Sequence, residues 1–178
     1  MALLLGMVAV LLALPALPKG QLDIDADRFL IERDANASLL LAYFGFPGCT
    51  DTCSVALARM GQLQAAARAA GVADALELAF VNLDSTSDPR QMALYLAPFD
   101  AAITAYNPDP AGIELIERKL GLTLRNIGGT ISHADYFVLL RRDDSSGWRV
   151  LDRTRQLDPE YVLRLATAAP GARKATSS

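Results

Sequence analysis

Histidine occurs once in the 178 residues and cysteine only twice, so any thiol chemistry must rest on Cys49 and Cys53, and His133 is the only imidazole available to join them. Basic residues are thinly spread: the formal charge is −3, and no Lys/Arg cluster exceeds a pair or a triplet. Nothing marks a groove for a polyanion, and no nucleic-acid partner is expected. Charge is missing altogether from residues 1–18, where Leu, Val, Ala and Met run almost without interruption before Pro15 and Pro18. That run lacks the basic start of a secretory signal and a convincing A-x-A cleavage site, and it is shorter than the roughly 20 residues that span a bilayer. It still does not belong to a globular core. Residues 1–19 are read as an export signal or a short membrane anchor, so the rest of the chain is expected on the extracytoplasmic, periplasmic side, where disulfides persist and copper and zinc are met.

What is present suits one domain, since 52% apolar residues can build a substantial core. Residues 38–46 are short, apolar on both faces and bounded by polar residues and Gly/Pro, as a buried parallel strand is. Residues 54–70 then carry Val55, Leu57, Met60 and Leu63 among alanines, with Gly71 placed as a helix C-cap. A second strand is expected over 75–83, a helix over 89–96 entered through Asp88-Pro89, and a strand near 101–106. Asp109-Pro110 opens a further helix, to Leu120, and Asp158-Pro159 caps a last one through Ala168. Residues 121–132 read as loop around Gly128-Gly129, and 134–141 with 148–151 as a hairpin. A short strand is expected at 28–32, and residues 169–178 have nothing to bury and are read as a disordered tail. This order describes an α/β domain over 20–168, a mixed central sheet flanked by helices, and a thioredoxin-like fold fits it.

The cysteines fall in Phe44-Gly-Phe-Pro-Gly-Cys49-Thr-Asp-Thr-Cys53, just after the first strand. With Cys53 in the first turn of a helix, positions i and i+4 share a face and both sulfurs can converge on one partner, a metal ion or each other. A static disulfide stapling loop to helix is the structural alternative, though so short a loop gains little from closure. Asp84 and Asp88 are read as loop and cap carboxylates, Trp148 as packing, and Asp143-Asp144 as a solvated turn.

The run Tyr43-Phe-Gly-Phe-Pro-Gly-Cys49-Thr-Asp-Thr-Cys53, the segment Val81-Asn-Leu-Asp84-Ser-Thr-Ser-Asp88-Pro89, and Ser132-His133-Ala-Asp-Tyr136-Phe-Val-Leu together resemble the Sco/SenC copper-binding proteins. These are membrane-anchored, thioredoxin-like proteins that help load the binuclear copper site of cytochrome c oxidase. The resemblance covers about residues 39–151, and it implies a metal site of Cys49, Cys53 and His133 holding one copper ion, Cu(I) or Cu(II). Two thiolates and an imidazole are donors suited to that ion. It further implies a copper acceptor protein, an oxidase subunit, as partner, with Asp51 beside the site. The chain departs from the family pattern at Thr50, Ser54 and Ser85, where prolines are usual, and in Pro47-Gly48 ahead of the first cysteine.

The competing expectation is an extracytoplasmic thiol-disulfide oxidoreductase, with Cys49 and Cys53 as its redox-active pair. Against it stand the C-x-x-x-C spacing and the absence of any proline between Pro110 and Pro159, where thioredoxin-like redox enzymes carry a cis-proline loop. A peroxiredoxin-type peroxidase is more distant still, since the usual Thr/Pro environment ahead of a peroxidatic cysteine is missing.

Overall fold

The computed structural model describes residues 23–24, 37–49, 52–127, 130–132, 135–143 and 147–168. The strands are β1 (Asp23–Ile24), β2 (Leu39–Gly45), β3 (Leu76–Asn82), β4 (Ile103–Tyr106), β5 (Arg125–Ile127), β6 (Thr130–Ser132), β7 (Phe137–Asp143) and β8 (Gly147–Thr154). The helices are α1 (Thr52–Ala69), α2 (Pro89–Leu96), α3 (Pro110–Leu120) and α4 (Pro159–Thr167), and a 3-10 turn, Ala73–Ala75, leads into β3.

Six strands form one sheet in the order β1-β8-β7-β2-β3-β4. β2 and β3 are parallel, as are β3 and β4, while β7 runs antiparallel to both β2 and β8. β2 is therefore central, and all seven of its residues are buried. Alternation along it separates two cores. Leu39, Leu41 and Tyr43 face α1 and α4 through Leu57, Met60, Leu63, Val162 and Ala166, and Cys53 belongs to this layer. Leu40, Ala42 and Phe44 face α3 through Ile116 and Leu120, together with Trp148. The fold is the thioredoxin-like α/β arrangement that the element order implies.

The helix signals act as expected. Asp88, Asp109 and Asp158 each accept a backbone N–H from the first turn of the helix they precede, with proline following at the first position. Gly71, at φ +67°, closes α1: its N–H donates to Arg68 C=O and that of Val72 to Ala67 C=O, satisfying two end carbonyls. Asp84 serves its own loop by accepting from the backbone and hydroxyl of Thr86.

Two sequence expectations need correction or limitation. Residues 121–132 are not all loop, because β5 and β6 pair antiparallel within them. Strands of three residues are too short for alternation to register. The strand expected at 28–32 lies outside the described residues, and the strand that pairs with β8 at the sheet edge is Asp23–Ile24.

Candidate functional site

β2 ends at Gly45, the chain turns through Phe46, Pro47 and Gly48, and Cys49 closes the turn by donating its N–H to Phe46 C=O at 3.0 Å. α1 begins at Thr52, which places Cys53 in its first turn. The two cysteines are joined by a disulfide, with Cα atoms 5.8 Å apart, so the convergence that the spacing allowed is realised. They are not equivalent: Cys53, on the buried face of α1, is fully buried in the core, whereas Cys49 is partly exposed. A reagent arriving from solvent meets Cys49 first.

Close approach of β2 to Cys53 depends on Gly45. A Cβ at this position would lie 2.7 Å from Cys53 Sγ and 2.8 Å from Phe80 Cζ, inside any real contact distance. Phe80 begins an aromatic floor beneath the cysteine loop, with Tyr43 and Tyr95 at centroid distances of 6.3 and 5.8 Å and Phe137 5.0 Å from Tyr43. Two phenols anchor the surroundings of this floor. The Tyr95 hydroxyl of α2 donates to Cys49 C=O at 2.9 Å, tying that helix to the cysteine loop. The Tyr43 hydroxyl donates to Asp135 Oδ1 at 2.5 Å, linking the strand that leads into the cysteines to the segment that enters β7. Thr52 completes the cluster, with its Oγ1 3.6 Å from Cys49 Sγ.

Burial pushes the Tyr43 phenol well above its ordinary value of 10.0, and the Asp135 carboxylate beside it adds to the rise, while the Thr52 hydroxyl opposes it. Tyr95 is raised by burial too, with Ser54 opposing. The sign for stability follows. The unfolded chain loses the Tyr43 proton near pH 10, where the folded chain still holds it, so stability is full below pH 10 and falls as pH rises toward the folded value. Tyr43→Phe is expected to flatten this alkaline loss, read as the slope of the urea midpoint between pH about 9 and 11, at a cost near neutrality of about 1–2 kcal/mol for the lost hydrogen bond.

Of the residues singled out in the sequence, Cys49 and Cys53 are brought together, while His133 and Asp51 lie outside the described residues. Among the described residues no group of three or more His, Cys, Asp or Glu side chains is placed to hold a metal ion. No helix among them is long and apolar enough to cross a membrane, and the run at 1–19 read as signal or anchor lies outside them. Sequence reasoning did not find Tyr43, Tyr95 or Asp135. Tyr43 carried one signal, a hydroxyl within an otherwise apolar buried strand, which must find a partner. Nothing local pointed to Asp135 as that partner.

A mixed sheet of this order, with a cysteine pair spanning the junction of a central strand and the helix that follows it, defines a thioredoxin-like protein. The family model for SCO1/SenC matches residues 21–159, and the chain belongs to that family. Solved structures agree on the fold. ScoI from Bradyrhizobium japonicum with copper bound is 22% identical at a TM-score of 0.62, over 74% of this chain and 84% of its own. Yeast Sco1 with copper bound is 19% identical at a TM-score of 0.58, over 79% and 83%. BsSco, described as a member of the Sco family of cytochrome c oxidase assembly proteins with a disulfide switch, is 15% identical at a TM-score of 0.57, over 75% and 80%. No curated protein matches the chain.

Proposed function

We propose that this chain is a copper metallochaperone that carries one copper ion on Cys49, Cys53 and His133 and delivers it by ligand exchange to the binuclear copper site of a respiratory oxidase. The observation that supports this reading most is the pairing of Cys49 and Cys53 at the start of α1 in a chain of the SCO1/SenC family. Copper bound in the Bradyrhizobium and yeast relatives supports the choice of ion. Two thiolates suit Cu(I), and an imidazole as third donor extends the site to Cu(II). The disulfide must first take up two electrons to give the two thiolates. Cys53 then lies where the partial positive charge of a helix N-terminus favours the thiolate. A three-donor site leaves room for an acceptor's thiolate or imidazole to enter as one donor departs. The run at 1–19 would hold the domain on the extracytoplasmic side of a membrane, as signal or anchor, close to a membrane-bound acceptor.

A second reading, a thiol-disulfide oxidoreductase acting on client cysteines, is favoured by one observation: the two cysteines form a disulfide whose Cys49 sulfur belongs to a partly exposed residue, and exchange needs such access. Copper titration of the reduced full chain, with metal analysis and absorption spectroscopy, separates the two. One tightly held copper with a thiolate-to-Cu(II) band, lost in Cys49→Ala and in His133→Ala, is the expected result. No stoichiometric copper, together with a readily reduced disulfide, would replace the chaperone by the oxidoreductase.

A further inference from the structure

Beside the cysteine pair runs a groove of about 580 Å3 that the disulfide does not itself explain, lined by Thr52, Val55, Arg59, Asp135, Phe137 and Arg155 among others. Thr52, Val55 and Arg59 share one face of α1 at helical spacing, so the groove starts at Thr52, whose Oγ1 is 3.6 Å from Cys49 Sγ, and extends along the helix. Its two ends differ in charge. At the cysteine end Asp135 is engaged by the Tyr43 hydroxyl. Farther along stand Arg59 and Arg155, both exposed, and neither makes an ion pair or hydrogen bond among the described residues. Some exposed arginines elsewhere are paired: Arg68 forms a two-pronged pair with Asp100 at 2.6 and 2.8 Å, and Arg118 pairs with Glu114. Val55, 53% exposed between the two ends, supplies an apolar contact. Two guanidiniums without a partner among the described residues, facing one groove of a chain whose net charge is −3, are a local reversal of sign.

The geometry points to this groove as the docking site for an extended segment of the acceptor protein that carries a carboxylate a fixed distance from its reactive thiol. The proposal rests on the reading above that the cysteine pair exchanges with an acceptor, and it adds how that acceptor is selected. Helical rise puts Arg59 about 10 Å along the axis from Thr52. An extended chain covers that in about three residues, so the selected segment has Asp or Glu about three positions from its cysteine. Charge complementarity at such a rim acts mainly on the rate of encounter and on the choice of partner.

The test uses the oxidised full chain and synthetic decapeptides with a single cysteine and, three positions away, either glutamate or lysine. A peptide thiolate attacks Cys49 Sγ, forming a mixed disulfide and releasing Cys53 as thiolate. A second peptide thiolate attacks the peptide sulfur of that mixed disulfide, forming the peptide disulfide and freeing Cys49, so no other reductant is consumed. The glutamate peptide is expected to react roughly tenfold faster than the lysine peptide at low ionic strength, with the gap shrinking as salt is raised. The double variant R59E/R155E is expected to invert the preference and R59Q/R155Q to abolish it. Equal rates for the two peptides, or a glutamate preference that survives R59E/R155E, overturns the assignment. Equal peptide rates combined with binding to phosphatidylglycerol vesicles that R59E/R155E loses would put an anionic lipid surface there, and would overturn it as well. Copper loading of the unaltered chain is measured in parallel: its failure removes the metallochaperone reading and leaves the peptide preference to be judged by its own rates.

Discussion

His133→Ala is expected to weaken Cu(II) binding by more than about 100-fold while thiol-disulfide exchange through Cys49 and Cys53 keeps nearly its original rate. Replacing even a group that only orients a ligand typically costs about 10–100-fold in metal affinity, so removing the imidazole proposed above as a donor should cost at least the upper end. The loss falls on Cu(II) because an imidazole suits that ion, whereas two thiolates retain much of the hold on Cu(I). Exchange depends on the sulfurs alone, on their thiolate fraction and on access to Cys49, none of which needs an imidazole. Competition titrations with a chromophoric copper chelator give the first quantity, and reduction kinetics of the Cys49–Cys53 disulfide give the second. Equal loss of both would mean that His133 supports the cysteine loop as a whole, and the division of labour between metal and thiol chemistry would fall.

Gly45→Ala is expected to destabilise the oxidised chain by about 1–3 kcal/mol, in the range of overpacked cores, and to slow formation of the disulfide. The added methyl would sit 2.7 Å from Cys53 Sγ and 2.8 Å from Phe80 Cζ. Neither neighbour can yield cheaply. Phe80 is fully buried on β3, an interior strand, and Cys53 is held in the first turn of α1 with a second covalent tie to Cys49. Gly45 also accepts the Leu83 N–H at 2.7 Å, so its backbone cannot retreat from the sheet without breaking that bond. Urea unfolding of oxidised and reduced protein measures the cost. The double variant Gly45→Ala with Phe80→Leu, which withdraws the ring atoms, should recover part of the loss. An unchanged midpoint in the single variant would show that the strand end and the cysteine are not in contact in solution.

The features legible in the sequence are those whose cause is local. Asp88-Pro89, Asp109-Pro110 and Asp158-Pro159 name three helix starts because capping needs only a side chain and the turn that follows it. The seven buried residues of β2 announce a strand covered on both faces. Spacing alone did not reveal that β2 has a parallel neighbour on one side and an antiparallel one on the other, because both ladders demand the same apolar run. The antiparallel pairing of β5 and β6 was missed because strands of three residues carry no period to read. Within the site, the cysteine pair was legible from its helical spacing, whereas its supports were not. Tyr95 reaches Cys49 across 46 positions and Tyr43 reaches Asp135 across 92, and no local pattern encodes either meeting.

The sequence by itself determined the chemistry available to this protein: two sulfurs four residues apart, one imidazole, an apolar run at the start of the chain, and motifs of the SCO1/SenC family in order. Helix geometry made the convergence of Cys49 and Cys53 a consequence of spacing. Only the tertiary structure decided which sulfur faces solvent, that Gly45 must be glycine for Cys53 to pack against β2, and that Arg59 and Arg155 share one groove beside the pair. The reason is the range of the interactions. Capping, periodicity and i to i+4 proximity act within a few residues and leave a mark in the local sequence. Burial, close approach and the juxtaposition of distant charges depend on how strands are ordered in the sheet, which a single chain's local pattern does not state.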